Sequence, residues 1–115
     1  MDEGAIYEKS MEFAVRIVRL YQYLIEEQEE RVMSVQLLRS GTSIGANVRE
    51  AKYGQSKKDF VSKMSIALKE ASETEYWLEL LAKTRYMTQV QYESIRKDVS
   101  EVAKILTSIV KSSKI

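Results

Sequence analysis

The 115-residue sequence predicts an all-α protein, an antiparallel up-down four-helix bundle in a single domain, residues 1–115. Three observations predict it. Apolar residues recur at alternating steps of three and four through four long segments, the spacing that lines one face of an α-helix. The chain has no proline, so no segment carries the ring that breaks a helix. The joints between segments are short, which makes consecutive helices antiparallel neighbours. A hydrophobic content of 44% supplies a core without disulfide or metal staples.

The first helix is predicted over residues 5–28. Ser10, Ala14, Ile17, Tyr21 and Leu24 form one face. Two more rows, Ile6–Phe13–Leu20 and Met11–Val18–Ile25, repeat at heptad spacing, and the polar row Glu12, Arg16, Arg19, Glu26 is narrow. A helix packed on one side needs one apolar stripe. This one is apolar around most of its circumference, so it is expected to be covered on two sides, the second cover being another subunit. The run EEQEER that follows is expected to be solvated and near a turn.

The second helix is predicted over residues 34–53, N-capped by Ser34, with the face Leu37, Gly41, Ile44, Val48, Ala51, and stopped by Gly54. The third spans residues 56–85, capped by Ser56 with Asp59, and buries Phe60, Met64, Ala67, Ala71, Thr74, Leu78 and Leu81. The fourth spans residues 88–112, opens on the capping box Thr88–Gln91, and buries Ile95, Val99, Val102, Leu106 and Ile109.

Composition excludes several chemistries. There is no cysteine and no histidine. Disulfides, thiol nucleophiles, Ser–His hydrolysis, histidine-ligated zinc and Glu-x-x-His di-iron sites are therefore ruled out. No apolar run is long enough to cross a membrane. The acidic start MDEGAIYEKS lacks the apolar stretch of a signal peptide, and a cytoplasmic location is expected. Glu70, Glu73 and Glu75 raise the question of a carboxylate site for a cation or for acid–base work. The stronger expectation has Glu70 and Glu73 mostly exposed and Glu75 paired with an arginine, with Arg39 meeting Glu73 or Glu75 between helices 2 and 3. No catalytic, cofactor-binding or metal-binding residue, no cofactor and no small-molecule substrate is expected.

The stretch RSGTSIGANVREAKYG carries three of the four glycines. It lacks the spacing, the lysine and the preceding strand of a phosphate-binding loop. Gly41 and Gly45, one turn apart, instead predict a helix that lets a neighbouring backbone come close. Beside them runs a polar row, Gln36, Arg39, Ser40, Ser43, Asn47 and Glu50. It reads either as a solvent face or as a seam that sets helix register or oligomer state through hydrogen bonds. Its Ser, Asn and Gln content, in a chain whose other polar faces use Lys and Glu, favours the seam.

Charge is unevenly spread. The net charge is +1, but residues 1–30 carry net −5 and residues 31–115 net +6. An up-down bundle gathers Lys52, Tyr53, Lys57, Lys58, Lys111 and Lys114 at one end. These are either ordinary solvated charges, favourable at helix C-termini, or a rim that contacts the phosphates of RNA or DNA.

QLLRSGTSIGANVREA followed by SKKDFVSKMSIALKEASETEYWLELLAKTRYM resembles the bacterial 23S rRNA intervening-sequence proteins over nearly the whole chain. The resemblance is carried by Gln36, Arg39, Ser43, Ile44, Asn47, Glu50, Lys57, Lys58, Phe60, Ser65, Ala67, Glu73 and Glu75. The sequence departs from the pattern at Val48, Ala51 and Lys69-Glu70, where the family has Ile, Gly and Gly-Ser. The resemblance implies a four-helix bundle assembled as a homopentameric, barrel-like ring. It also implies a non-enzymatic scaffold or interaction protein whose partners are its own copies and, by analogy with retroelement accessory relatives, RNA or a nucleic-acid-associated protein.

Overall fold

Apolar periodicity decides the architecture. The computed structural model describes residues 4–113, in which four helices hold most of the chain: α1 Gly4–Glu26, α2 Met33–Lys52, α3 Lys57–Lys83 and α4 Gln89–Ser113. Among the described residues there is no strand. Packing runs around a square, α1 on α2, α2 on α3, α3 on α4 and, least extensively, α4 on α1; the backbones of the diagonal pairs stand further apart. The result is a rod of 45 × 21 × 19 Å.

The three-four spacing places one row of each helix on the rod's axis. Ile6, Phe13, Ile17 and Leu24 of α1 meet Leu37, Ile44 and Val48 of α2, Met64, Leu78 and Leu81 of α3, and Val99, Leu106 and Ile109 of α4, all essentially inaccessible. Each such side chain removed from water contributes about 1.5–3 kcal/mol, offset by the entropy of ordering the chain. Small residues let the helices close in. An ideal Cβ on Gly41 would stand 2.8 Å from two carbons of Ile17, and one on Gly45 would stand 3.4 Å from the Ser10 carbonyl oxygen. Both glycines therefore face α1 inside the subunit.

The helix ends follow local hydrogen bonding, and several differ from what the sequence predicts. α1 stops at Glu26 instead of Gln28, because Glu29 turns the chain with φ 56° and its successor's N–H bonds the Leu24 carbonyl at 2.9 Å. Ser34 is not the N-cap of α2. The helix starts at Met33, and Ser34 is a buried residue within it. The capping oxygens come from Glu30, which accepts from the backbone N–H of Val32 (3.1 Å), Met33 (3.2 Å) and Ser34 (2.7 Å) and from the Ser34 hydroxyl (2.8 Å). The EEQEER run is thus not wholly solvated: Glu30 is buried. Burial alone would raise the Glu30 carboxyl's pKa, but the four hydrogen bonds outweigh it and hold it below the ordinary value.

Gly54 follows the end of α2 but is not in the left-handed conformation. Its missing Cβ answers a different need, since that atom would crowd Asp59 Oδ2 at 3.1 Å and the Ala51 carbonyl at 3.2 Å. Ser56 Oγ accepts from the Asp59 N–H at 3.0 Å, while Asp59 reaches back past it to the Gln55 N–H at 3.3 Å. Thr88 and Gln91 form the full reciprocal box, at 2.8 and 3.1 Å.

Candidate functional site

Three surfaces could carry function, and each grows from one helix face. The first is the polar row of α2, which lies along the α2–α3 groove. Arg39 reaches across to α3, pairing with Glu73 and, at 3.4 Å, with Glu70. Glu73 also accepts from Trp77 Nε1 at 3.1 Å, a residue one turn on along the same face. The hydrogen bond to Glu73 raises the Arg39 pKa, and the bond from Arg39, then that from Trp77, lowers the Glu73 pKa. Glu70 and Glu73 are both half-buried instead of exposed, held by these ion pairs. Glu75 is not part of the network: two residues beyond Glu73, it points toward α4, where it lines a shallow groove with Ser65, Leu68 and Ala103.

At the other end of the row Glu50 pairs with Lys63 of α3 at 2.9 Å. Between the two ion pairs, Ser43 donates to the Arg39 carbonyl (2.7 Å) and Asn47 to the Ser43 carbonyl (2.9 Å). These two spend their donors on their own helix. Gln36 is exposed at the row's start. Ser40 sits deeper, fully buried, with its hydroxyl bonded to that of Thr74 at 3.0 Å. The row is thus an α2–α3 seam inside the subunit whose outer edge meets water. Sequence reasoning missed Trp77 and Thr74 as members; each stands four residues after a carboxylate, Trp77 after Glu73 and Thr74 after Glu70, and that spacing was the available signal. Among the described residues no group of three or more metal-ligating side chains is placed to hold an ion.

The second surface is the outside of α1. Met11, Val15 and Val18 are 50%, 47% and 39% exposed and form a continuous stripe. On one side the seam with α4 is closed by Arg16 on Asp98 (2.7 Å) and Lys9 on Glu101 (3.2 Å). Further toward the end of α1 it opens into a groove of about 510 Å³ lined by Val15, Leu20, Tyr23, Met87, Val90 and Ile95, with Arg19 at its edge.

The third surface is the end of the rod where α2 passes into α3. Lys52, Tyr53, Lys57, Lys58 and Lys111 are all exposed there, and Lys114 lies outside the described residues. The Lys52 ammonium stands 5.3 Å from the ring centre of Tyr7 and 5.7 Å from that of Tyr53. Beside them Arg49, Ala46 and Gly45 complete a groove of about 380 Å³ between α1 and α2. Lys52 and Lys111 occupy helix C-terminal turns, where the helix dipole favours cations. Lys57 and Lys58 do not: they open α3, at its positive end.

No helix among the described residues is long and apolar enough to cross a membrane. Compared with known proteins, residues 2–108 match the family model described as 23S rRNA-intervening sequence protein. The curated proteins give no match. Among solved structures, the chain is similar to a crystal structure of a protein of unknown function from the S23 ribosomal protein family of Bacteroides thetaiotaomicron. The two are 61% identical with a TM-score of 0.95, over 96% of this chain and 99% of that one. With an all-α four-helix fold and a family match over residues 2–108, the chain belongs to the 23S rRNA-intervening sequence proteins.

Proposed function

We propose that the protein is a non-enzymatic, homo-oligomeric scaffold, a pentamer in solution, that works in the cytoplasm by presenting repeated surfaces to a partner. One observation carries the oligomer: the Met11–Val15–Val18 stripe, a run of large apolar side chains in water along the middle of α1. Single exposed apolar residues are ordinary, but a contiguous stripe marks an interface. The absence of histidine and cysteine and the engagement of Glu70 and Glu73 in ion pairs with Arg39 support the non-enzymatic reading. Light scattering on the purified chain tests it. The expected mass is five times that of one chain, and a monomer at micromolar concentration overturns the proposal.

A second reading, binding of RNA or DNA phosphates through the basic end, is favoured by Lys57 and Lys58. Cations at the start of a helix oppose its dipole and cost stability, so their presence points to a ligand charge. Tyr53, 72% exposed beside Lys52, offers a stacking face of the kind single strands use. The expected result is RNA binding that weakens steeply with salt, by a slope of about −0.7 per phosphate contact on single strands. Charge reversal at Lys57 and Lys58 should abolish it. No binding at low salt leaves the scaffold reading alone.

A further inference from the structure

We infer that a second copy of this chain covers the outer face of α1 with the outer face of its own α3, the two helices lying parallel and in register. This rests on the oligomer reading and adds which surfaces meet. The faces are complementary in charge. The α1 stripe is flanked by the exposed carboxylates Glu8, Glu12 and Glu26, none engaged in an ion pair; Arg19, midway between Glu12 and Glu26, offsets one of them and leaves the face net acidic. The outer face of α3 is basic around its own apolar pair: Lys69 and Lys83 stand beside Ile66, 38% exposed, and Tyr76, 57% exposed. Lys69 has no ion-pair partner, and Lys83 is held only loosely by Glu79 at 3.8 Å.

The faces also match in height. α1 and α3 run in the same direction in an up-down bundle, and both end at the same end of the rod. Glu26 closes α1 as Lys83 closes α3. Glu12 lies fourteen residues before Glu26, and Lys69 fourteen before Lys83. Val18 lies eight residues before its helix end and Tyr76 seven; Met11 lies fifteen before and Ile66 seventeen. At a rise of about 1.5 Å per residue these levels agree to within roughly one helical turn. Two such helices laid side by side therefore set Glu12 and Glu26 opposite Lys69 and Lys83, and Met11 and Val18 near the levels of Ile66 and Tyr76, with Val15 between the two.

α1 and α3 are diagonal in the square, so their outer faces point to opposite sides of the rod. Each copy then offers one face of each kind, and the contact is head-to-tail. Such a contact either closes into a ring or runs on as a filament.

Two variants test this by light scattering at high protein concentration, with far-ultraviolet circular dichroism confirming the helical fold. Val15→Glu spoils only the α1 face, and Tyr76→Glu only the α3 face. Each alone should fall to one chain's mass, and an equimolar mixture should double that mass, because one sound face of each kind survives. If Tyr76→Glu stays assembled like the wild type, the α3 assignment is overturned while the oligomer stands. If both variants dissociate but their mixture does not pair, the contact is not head-to-tail and the inference is overturned. A monomeric wild type overturns the oligomer reading itself. An independent arm uses charge: Glu12→Lys and Lys69→Glu should each weaken assembly severalfold, and the double variant should restore it. Failure of that restoration removes the register.

Discussion

At the scale of single residues, Glu30 does the most with one side chain. It closes three open N–H groups at the start of α2, those of Val32, Met33 and Ser34, and the Ser34 hydroxyl while buried. Glu30→Ala should therefore destabilise the fold by about 1–2 kcal/mol, the scale of losing a helix cap, as read by urea unfolding. The sign of its pH dependence follows from its lowered pKa. The stabilisation is fully present above the ordinary carboxylate value, 4.5, and is lost as pH falls below it through the folded-state value. The stability gap between wild type and Glu30→Gln should narrow on going from about pH 7 to about pH 3. Arg85 gives a prediction of opposite sign. It is exposed in the left-handed region with φ 69°, where its N–H and that of Tyr86 close the end of α3. A side chain pays a steric penalty there that glycine avoids. Arg85→Gly should raise stability by up to about 1 kcal/mol in thermal melts. Neither residue is legible beforehand. Six consecutive charged or polar letters read as solvent, and a left-handed turn is sought at glycine, whereas this chain puts Gly54 outside that region and Glu29 and Arg85 in it.

At the scale of elements, the glycine pair of α2 separates two effects that sequence alone merges. Both glycines cost helix propensity, roughly 1 kcal/mol each against alanine. Only Gly41 is forced by contact, since Ile17 is fully buried and has no room to retreat from a new methyl group. Gly41→Ala should destabilise by about 1–3 kcal/mol through overpacking despite the better propensity. Gly45→Ala should be neutral or slightly stabilising, because its methyl would sit at ordinary contact distance from Ser10. Chemical denaturation of the two variants side by side checks the contrast. Here the reading of the sequence goes far. The buried rows of α2 and α4 are written in their three-four spacing, and that of α3 too apart from half-buried Phe60, whereas in α1 Ala14 and Tyr21 are only half-buried and Ile6 and Phe13 of the neighbouring row join Ser10, Ile17 and Leu24 in the core; the Thr88–Gln91 box forms as its letters suggest. What the spacing cannot say is which neighbour a polar side chain meets. Arg39 finds Glu73 because both lie on the α2–α3 edge, while Glu75, only two residues further, faces α4. The Lys69-Glu70 departure from the family pattern likewise resolves into two fates: Glu70 joins Arg39, and Lys69 stays in water.

At the scale of the whole molecule, the rod has distinct sides with distinct chemistry: an apolar and acidic side on α1, an apolar and basic one on α3, and a basic end. Val15→Glu should leave the melting behaviour of a dilute, dissociated chain nearly unchanged, because the position is already in water, yet abolish assembly in light scattering. A loss of helical signal would mean that Val15 belongs to the core instead. The RNA-binding reading is separable on the same molecule, because Lys57 and Lys58 lie at the end of the rod and the stripe along its flank. Surface charge reversal at the lysines should remove phosphate contacts without altering mass.

The four seams of the square are unequal, and this sets the order in which the molecule loosens. Three join helices adjacent in sequence. The fourth, α1 with α4, is the least extensive and is held on its surface by Arg16–Asp98 and Lys9–Glu101. Backbone amides in the helices on either side of that seam should accordingly exchange with deuterated solvent through partial openings, whereas the paired α2–α3 centre, sealed by Ser40–Thr74, should exchange only on global unfolding. Added salt should widen the difference, because the two bridging ion pairs are exposed and screened.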